Sequence, residues 1–83
     1  MLTAKEAREE AVKNKKKYIK KAIKNINLEI KRNSKAGYRK TNWHFSRYLS
    51  ENEQAKITSY YTSLGYNVDW TDSDFMFINW EEN

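Results

Sequence analysis

The chain contains no cysteine and no proline, only two glycines and a single histidine. Without cysteine it can form no disulfide, thiolate metal site or thiol nucleophile, which fits a reducing compartment such as the cytosol. No motif for nucleophilic catalysis surrounds His44, which we expect to be a packed or strand-edge residue rather than a catalytic base. The two glycines are far apart, so there is no glycine-rich phosphate loop. No enzymatic activity and no cofactor are predicted.

Long apolar runs are also missing from the sequence. No stretch approaches the roughly 18 apolar residues of a membrane span, and the N-terminus lacks a hydrophobic signal region. The scarcity of glycine and proline argues against a disordered linker, so residues 1–83 are expected to form a single domain without membrane contact. A chain of this length buries only about 60% of the surface that its unfolded form exposes, so its margin of stability is small.

The charges are strongly divided along the chain. Residues 11–50 carry thirteen Lys or Arg and one carboxylate, whereas residues 51–83 carry seven carboxylates and one Lys. The formal net charge of +5 therefore combines +12 in the middle, −6 at the C-terminal end and −1 over the first ten residues. Because a surface of one sign attracts the opposite charge, this division predicts an anionic partner, unless the two poles neutralise each other within one chain or between copies packed head to tail.

The basic segment has the pattern of one long amphipathic helix. Thr3 and Glu6 have the spacing of a capping box, and no glycine or proline follows until Gly37, so a helix is predicted over residues 4–34. Such a helix is about 45 Å long, whereas a compact chain of this size is about 30 Å across, so it must overhang or break. Small residues at 4, 7 and 11 would permit close approach of another chain. One face carries an apolar stripe of Val12, Ile19, Ile23, Ile26 and Ile30. The opposite face gathers Lys13, Lys17, Lys20, Lys24 and Lys31.

The aromatic residues are concentrated in residues 38–83. Alternation over residues 38–45 predicts a strand, and Ser50 with Glu53 forms a second capping-box signal. The helix that follows is expected to end at Gly65 and to bury Ile57, Tyr60, Tyr61 and Leu64.

Residues 66–70 and 75–80 are predicted to form a hairpin with a four-residue loop, with Trp70 opposite Phe75. The last strand is apolar on both faces, which is typical of a central strand, so the first strand is expected at its free edge. The predicted fold is therefore α+β, in the order α-β-α-β-β, with a three-stranded antiparallel sheet. In this register either the helices cover one face of the sheet each, or part of Met76, Ile78 and Trp80 stays exposed as a protein-contact patch.

An anion-binding surface is the main functional prediction. A lysine face on a helix is often no more than a solvated surface, but like charges at i, i+4 spacing oppose helix formation and call for compensation. Asp69, Asp72 and Asp74 crowd one turn, but they lack the spacing of a calcium loop, so no metal site is predicted. Bases or nucleotides would stack on Tyr38, Trp43 and Tyr48. The predicted anion-binding residues are Lys13, Lys17, Lys20, Lys24, Lys31, Lys35, Arg39, Lys40 and Arg47.

The order of these elements is similar to that of a known group of proteins. The chain has a long charged helix and then a short capped helix that ends in Leu64-Gly65-Tyr66. Val68, Trp70 and a closing strand, Phe77-Ile78-Asn79-Trp80, follow. This arrangement resembles small proteins of tailed phages and prophages, of the early host-takeover or anti-defence type. The resemblance implies a viral protein in the bacterial host cytoplasm or in the virion.

Three functions are consistent with these features. The first is a non-enzymatic module that binds nucleic acid or a nucleic-acid-bearing complex. The second is a protein–protein inhibitor of a host factor, including a sponge for a signalling nucleotide. The third is a minor virion subunit that forms homo-oligomers.

Overall fold

The computed structural model describes residues 2–82. It confirms the predicted α+β class and the predicted order of elements. Helix α1 spans Ala4–Lys35, strand β1 spans Lys40–His44, and helix α2 spans Glu51–Ser63. Strands β2 (Asn67–Asp72) and β3 (Phe75–Asn79) form the C-terminal hairpin.

Helix α1 is continuous over 32 residues, so the long helix overhangs rather than breaks. It begins after Thr3, whose hydroxyl oxygen accepts a hydrogen bond from the Glu6 backbone N–H at 3.1 Å. At the far end Gly37 adopts φ 91°, a left-handed conformation that lets the chain turn back into β1. At 1.5 Å per residue the helix is about 48 Å long, and the longest dimension of the molecule is 52 Å. Residues 4–14 project beyond the domain and are exposed, including Val12 of the predicted apolar stripe.

The three strands form an antiparallel sheet in the order β1-β3-β2, which confirms β3 as the central strand. The predicted hairpin register was wrong: Trp70 pairs with Met76, not with Phe75. An irregularity between Trp70 and Asp72 brings Asp72 opposite Phe75, so β2 is longer and the loop is shorter than predicted. Because side chains alternate along a strand, this one-residue shift exchanges the two faces of β3 relative to β2.

Both helices cover the same face of the sheet. The buried core joins side chains of α1, α2, β3 and the segment between β1 and α2. Helix α2 starts with the predicted capping box, since Ser50 N–H donates to Glu53 Oε1 at 2.8 Å and Glu53 N–H donates to Ser50 Oγ at 3.2 Å. Two of its predicted inner residues, Tyr60 and Leu64, are instead exposed. The core consists of Ala22, Ile26, Ile30, Phe45, Leu49, Ile57, Tyr61, Met76 and Ile78.

The predicted protein-contact patch at Met76, Ile78 and Trp80 was therefore wrong. Met76 is 0% and Ile78 1% exposed, because the corrected register turns them toward the helices. Trp80 is half-buried and packs edge-to-face on Tyr66, with ring centroids 5.9 Å apart. The uncovered face of the sheet instead carries Phe75 and Phe77.

Candidate anion-binding surface

Six lysines form a row on the outer face of α1. Their positions on the helix lie opposite the buried Ala22, Ile26 and Ile30, and all six side chains are exposed. Because the helix is continuous, the row is straight and extends about 33 Å along its axis. We call this surface the lysine face; it consists of Lys13, Lys17, Lys20, Lys24, Lys31 and Lys35.

The acidic half of the chain does not neutralise the lysine face. Within residues 2–82 the ion pairs are Lys15–Glu53 at 3.2 Å, Arg32–Glu29 at 2.7 Å and His44–Asp74 at 3.2 Å, and none involves a lysine of the row. Of the three, only Lys15–Glu53 joins the basic segment at 11–50 to the carboxylates of α2. Within residues 2–82, ion pairs between the basic segment and the acidic half are thus limited to Lys15–Glu53 and His44–Asp74, and both lie away from the lysine face.

Lys15 has a structural position that the sequence pattern did not reveal. Its ammonium donates to the backbone carbonyl of Tyr48, pairs with Glu53 and lies 5.9 Å from the centroid of the Tyr48 ring. Partial burial raises the pKa of Glu53, but the Ser50 backbone hydrogen bond and the Lys15 ammonium outweigh it, and the pKa of Glu53 is lowered. Lys15 therefore fastens α1 to the start of α2 and is not available to an external anion.

Two of the three remaining predicted cations, Lys40 and Arg47, lie away from the lysine face. Lys40 is exposed on the opposite face of the sheet from the helices, where it pairs in register with Asn79. The Arg47 guanidinium lies over the Tyr18 ring, 4.9 Å from its centroid, on the flank of α1. Arg39 precedes β1 and is exposed. Lys40 and Arg47 are thus separated from the lysines of the helix, because strand alternation and the loop after β1 separate residues that are close along the chain.

The three predicted stacking residues do not form one platform. Tyr38 and Tyr48 are exposed but lie beyond opposite ends of β1, and the Lys15 ammonium lies over one side of the Tyr48 ring. Trp43 is half-buried and packs against the core on the helix side of the sheet. Stacking of several bases on these three residues together is therefore not possible in this arrangement.

The uncovered face of the sheet is a second surface, which the sequence pattern missed. Its central strand presents Phe75 and Phe77, whose ring centroids are 5.1 Å apart. Around them the register places three cross-strand rows. We call this surface the open sheet face; its rows are Lys40–Asn79–Asn67, Asn42–Phe77–Asp69 and His44–Phe75–Asp72.

Comparison with protein-family models, curated proteins and solved structures finds no match to this chain. In the part of the chain that the structure describes, no helix is long and apolar enough to cross a membrane. The same residues contain no group of three or more His, Asp or Glu that could hold a metal ion. The fold and its surfaces define a two-layer α+β module with one strongly basic helix face.

Proposed function

We propose that the protein is a non-enzymatic binding module that engages nucleic acid, or a nucleic-acid-bearing complex, through the lysine face of α1. The observation that carries the proposal is a straight row of six exposed lysines that make no ion pair within residues 2–82. Like-charge pairs along the row oppose helix formation by a few tenths of a kcal/mol each. A polyanion bound along the row would remove that repulsion.

The dimensions of the row suit a nucleic-acid backbone. A length of about 33 Å corresponds to about ten base pairs at 3.4 Å per step, so a helix lying along one side of the duplex can contact phosphates of both strands where they cross its path. Lysine ammonium groups act as point charges and lack the fork geometry with which arginine reads guanine. We therefore expect binding to phosphates without sequence preference.

A salt titration tests the proposal. The affinity for labelled duplex and single-stranded oligonucleotides of about 20 nucleotides is measured by fluorescence anisotropy between about 50 and 200 mM salt. With up to six phosphates contacted, the slope of log affinity against log salt should approach about −5 for duplex and about −4 for single strands.

Two double variants with the same net charge distinguish the effect of the lysine face on binding from the effect of net charge. Lys17→Gln with Lys24→Gln should reduce the duplex slope by about 2 and weaken binding, because two phosphate contacts are removed. Lys40→Gln with Lys56→Gln removes the same charge away from the lysine face and should leave the slope nearly unchanged. Absence of binding at about 50 mM salt, or equal loss in both double variants, would contradict the proposal.

The biological setting that we propose follows from the resemblance to small phage and prophage proteins. A module that covers phosphates without reading sequence suits a host-takeover or anti-defence factor acting on nucleic-acid complexes in the bacterial cytoplasm. Capture from host lysate with and without nuclease tests this setting. Loss of the captured complex after nuclease treatment would support it, whereas a nuclease-resistant protein complex would favour an inhibitor of a host protein.

A further inference from the structure

The open sheet face has the opposite character to the lysine face. Phe77 is 42% exposed at its centre, although helices cover the other side of the same strand. Asp69 and Asp72 flank the two phenylalanines along β2, and Asp74 lies at the turn, paired with His44 at 3.2 Å. With Lys40 as the one lysine in its rows, this surface is apolar at the centre and acidic along one side. Such a surface repels phosphates and suits a cationic partner.

The lysine face also has an apolar centre that phosphate binding does not explain. Leu28 is 53% exposed, one turn after Lys24 and three residues before Lys31. Its position on the helix lies on the outer side, so it has no part in the core. A leucine surrounded by lysines is the kind of surface that would fit phenylalanines flanked by aspartates.

We infer that the open sheet face binds the lysine face of a second copy of this chain, with Leu28 of one copy against Phe77 of the next. The two surfaces carry pairs of charges of opposite sign. Lys24 and Lys31 are about 10 Å apart along the helix axis, and Asp69 and Asp72, which lie opposite Phe77 and Phe75, are about 7 Å apart along the sheet. Leu28 lies between the two lysines along the helix, and Phe75 and Phe77 lie beside the two aspartates on the neighbouring strand.

The two surfaces cannot meet within one molecule. Helix α1 packs its inner side on the helix-covered face of the sheet, so the lysine face and the open sheet face point in opposite directions. Contacts between different surfaces of identical copies repeat from one copy to the next and form open chains unless the rotation closes a ring. The predicted assembly is therefore a head-to-tail chain. It does not depend on the proposed function, but a bound polyanion would compete for Lys24 and Lys31.

The contact between two copies is small, so we expect their association to be weak. Three strands of five to six residues present a face of about 15 by 17 Å. This is well below the roughly 800 Å² per partner of a standard stable interface. We expect dissociation constants in the high micromolar range and strong weakening by salt.

Analytical ultracentrifugation of nucleic-acid-free protein tests the association. At about 50 mM salt the weight-average mass should at least double between about 10 and 500 µM protein, and at about 500 mM salt it should return to the monomer value. A wild-type protein that stays monomeric throughout the low-salt series would overturn the inference.

Charge exchange tests which surfaces meet. One variant carries Lys24→Glu and Lys31→Glu, and the other carries Asp69→Lys and Asp72→Lys; all four side chains are exposed, and circular dichroism checks that both variants fold. In each variant alone the charge pairs next to Leu28 and next to Phe77 have the same sign, so the variant should be monomeric. Their equimolar mixture should assemble, because the glutamates of one variant face the lysines of the other. Failure of the mixture to assemble would overturn the assignment of surfaces.

A capping pair tests the head-to-tail geometry. Leu28→Ser damages only the lysine face and Phe77→Ser damages only the open sheet face, so each variant keeps one intact surface. Neither should form chains alone, and their mixture should stop at a 1:1 pair. Longer chains in the mixture would contradict the inference. Oligonucleotide binding by the Phe77→Ser variant, whose lysine face and net charge are unchanged, reports separately on the proposed function.

Discussion

Reversing one charge on the lysine face should stabilise the fold while weakening nucleic-acid binding. Lys17 is exposed and has like-charged neighbours at Lys13, Lys20 and Lys21, all at i, i+3 or i, i+4 spacing. Each such pair changes helix stability by about 0.2–0.5 kcal/mol in either direction, so Lys17→Glu converts three repulsive pairs into attractive ones. The expected gain in the free energy of unfolding is about 1 to 3 kcal/mol. For a domain of this size, each kcal/mol raises Tm by about 4–8 °C.

Urea denaturation followed by tryptophan fluorescence measures this gain, since urea adds no ionic strength. The gain should be largest at about 50 mM salt and should shrink at about 500 mM, where screening weakens charge pairs on the surface. Under the proposed function, the same variant should bind duplex about tenfold more weakly at low salt, because one phosphate contact is replaced by repulsion. A variant that is more stable but binds less well would indicate that the lysines serve a ligand and not the fold.

Lys56→Glu is the matched control. Lys56 is exposed on α2 and its reversal changes the net charge by the same amount, but it lies three residues from Glu53 and so creates a like-charge pair. It should not stabilise the protein and should reduce binding only slightly. If Lys17→Glu were found to destabilise the fold, the result would show that repulsion along the lysine face does not limit the stability of the protein. If Lys56→Glu weakened duplex binding as strongly, net charge alone would account for the effect.

Three further predictions concern the core and its junctions. Phe45→Ala should lower the free energy of unfolding by about 3–5 kcal/mol in urea titration, because Phe45 is fully buried and its ring stacks on Trp70 with centroids 5.7 Å apart. Tyr61→Phe should cost about 1 kcal/mol in the same assay, since it removes the hydroxyl that donates to Asn27 Oδ1 at 3.0 Å; no change would show that this hydrogen bond adds nothing net. The lowered pKa of Glu53 means that its stabilisation is present above its ordinary value of 4.5 and is lost as the pH falls through the lower folded-state value. In Glu53→Gln, Tm should therefore fall less steeply as the pH is lowered in an acid titration. If Tm falls as steeply as in the wild type, the loss of stability in acid comes from other carboxylates.

Local signals were sufficient for the elements of this fold. Thr3 and Ser50 each accept a hydrogen bond at the predicted helix start, and Gly37 and Gly65 have positive φ at the predicted helix ends. These features depend on a few neighbouring residues, and the intrinsic requirements of helix ends decide them. The lysine face could also be predicted, because a continuous helix places side chains at a fixed angle for each residue.

The faces of the sheet could not be predicted in the same way. Strand β3 is apolar on both sides, so its alternation offers two candidates for the buried face and does not choose between them. The irregularity between Trp70 and Asp72 shifts the register by one residue, which is enough to bury Met76 and expose Phe77. The predicted protein-contact patch was wrong for this reason.

The sequence by itself determined the two helices, their ends, the order of the elements along the chain and the row of lysines, because each depends on local geometry and on charges close together along the chain. Only the tertiary structure decided that both helices cover one face of the sheet, that Lys15 contacts α2 and Tyr48, and that Lys40 and Arg47 lie apart from the lysine face. The physical reason is that these relations join residues far apart in sequence. Packing of the buried side chains, and not the preference of any one segment, selects among the registers and layer arrangements that the local pattern allows.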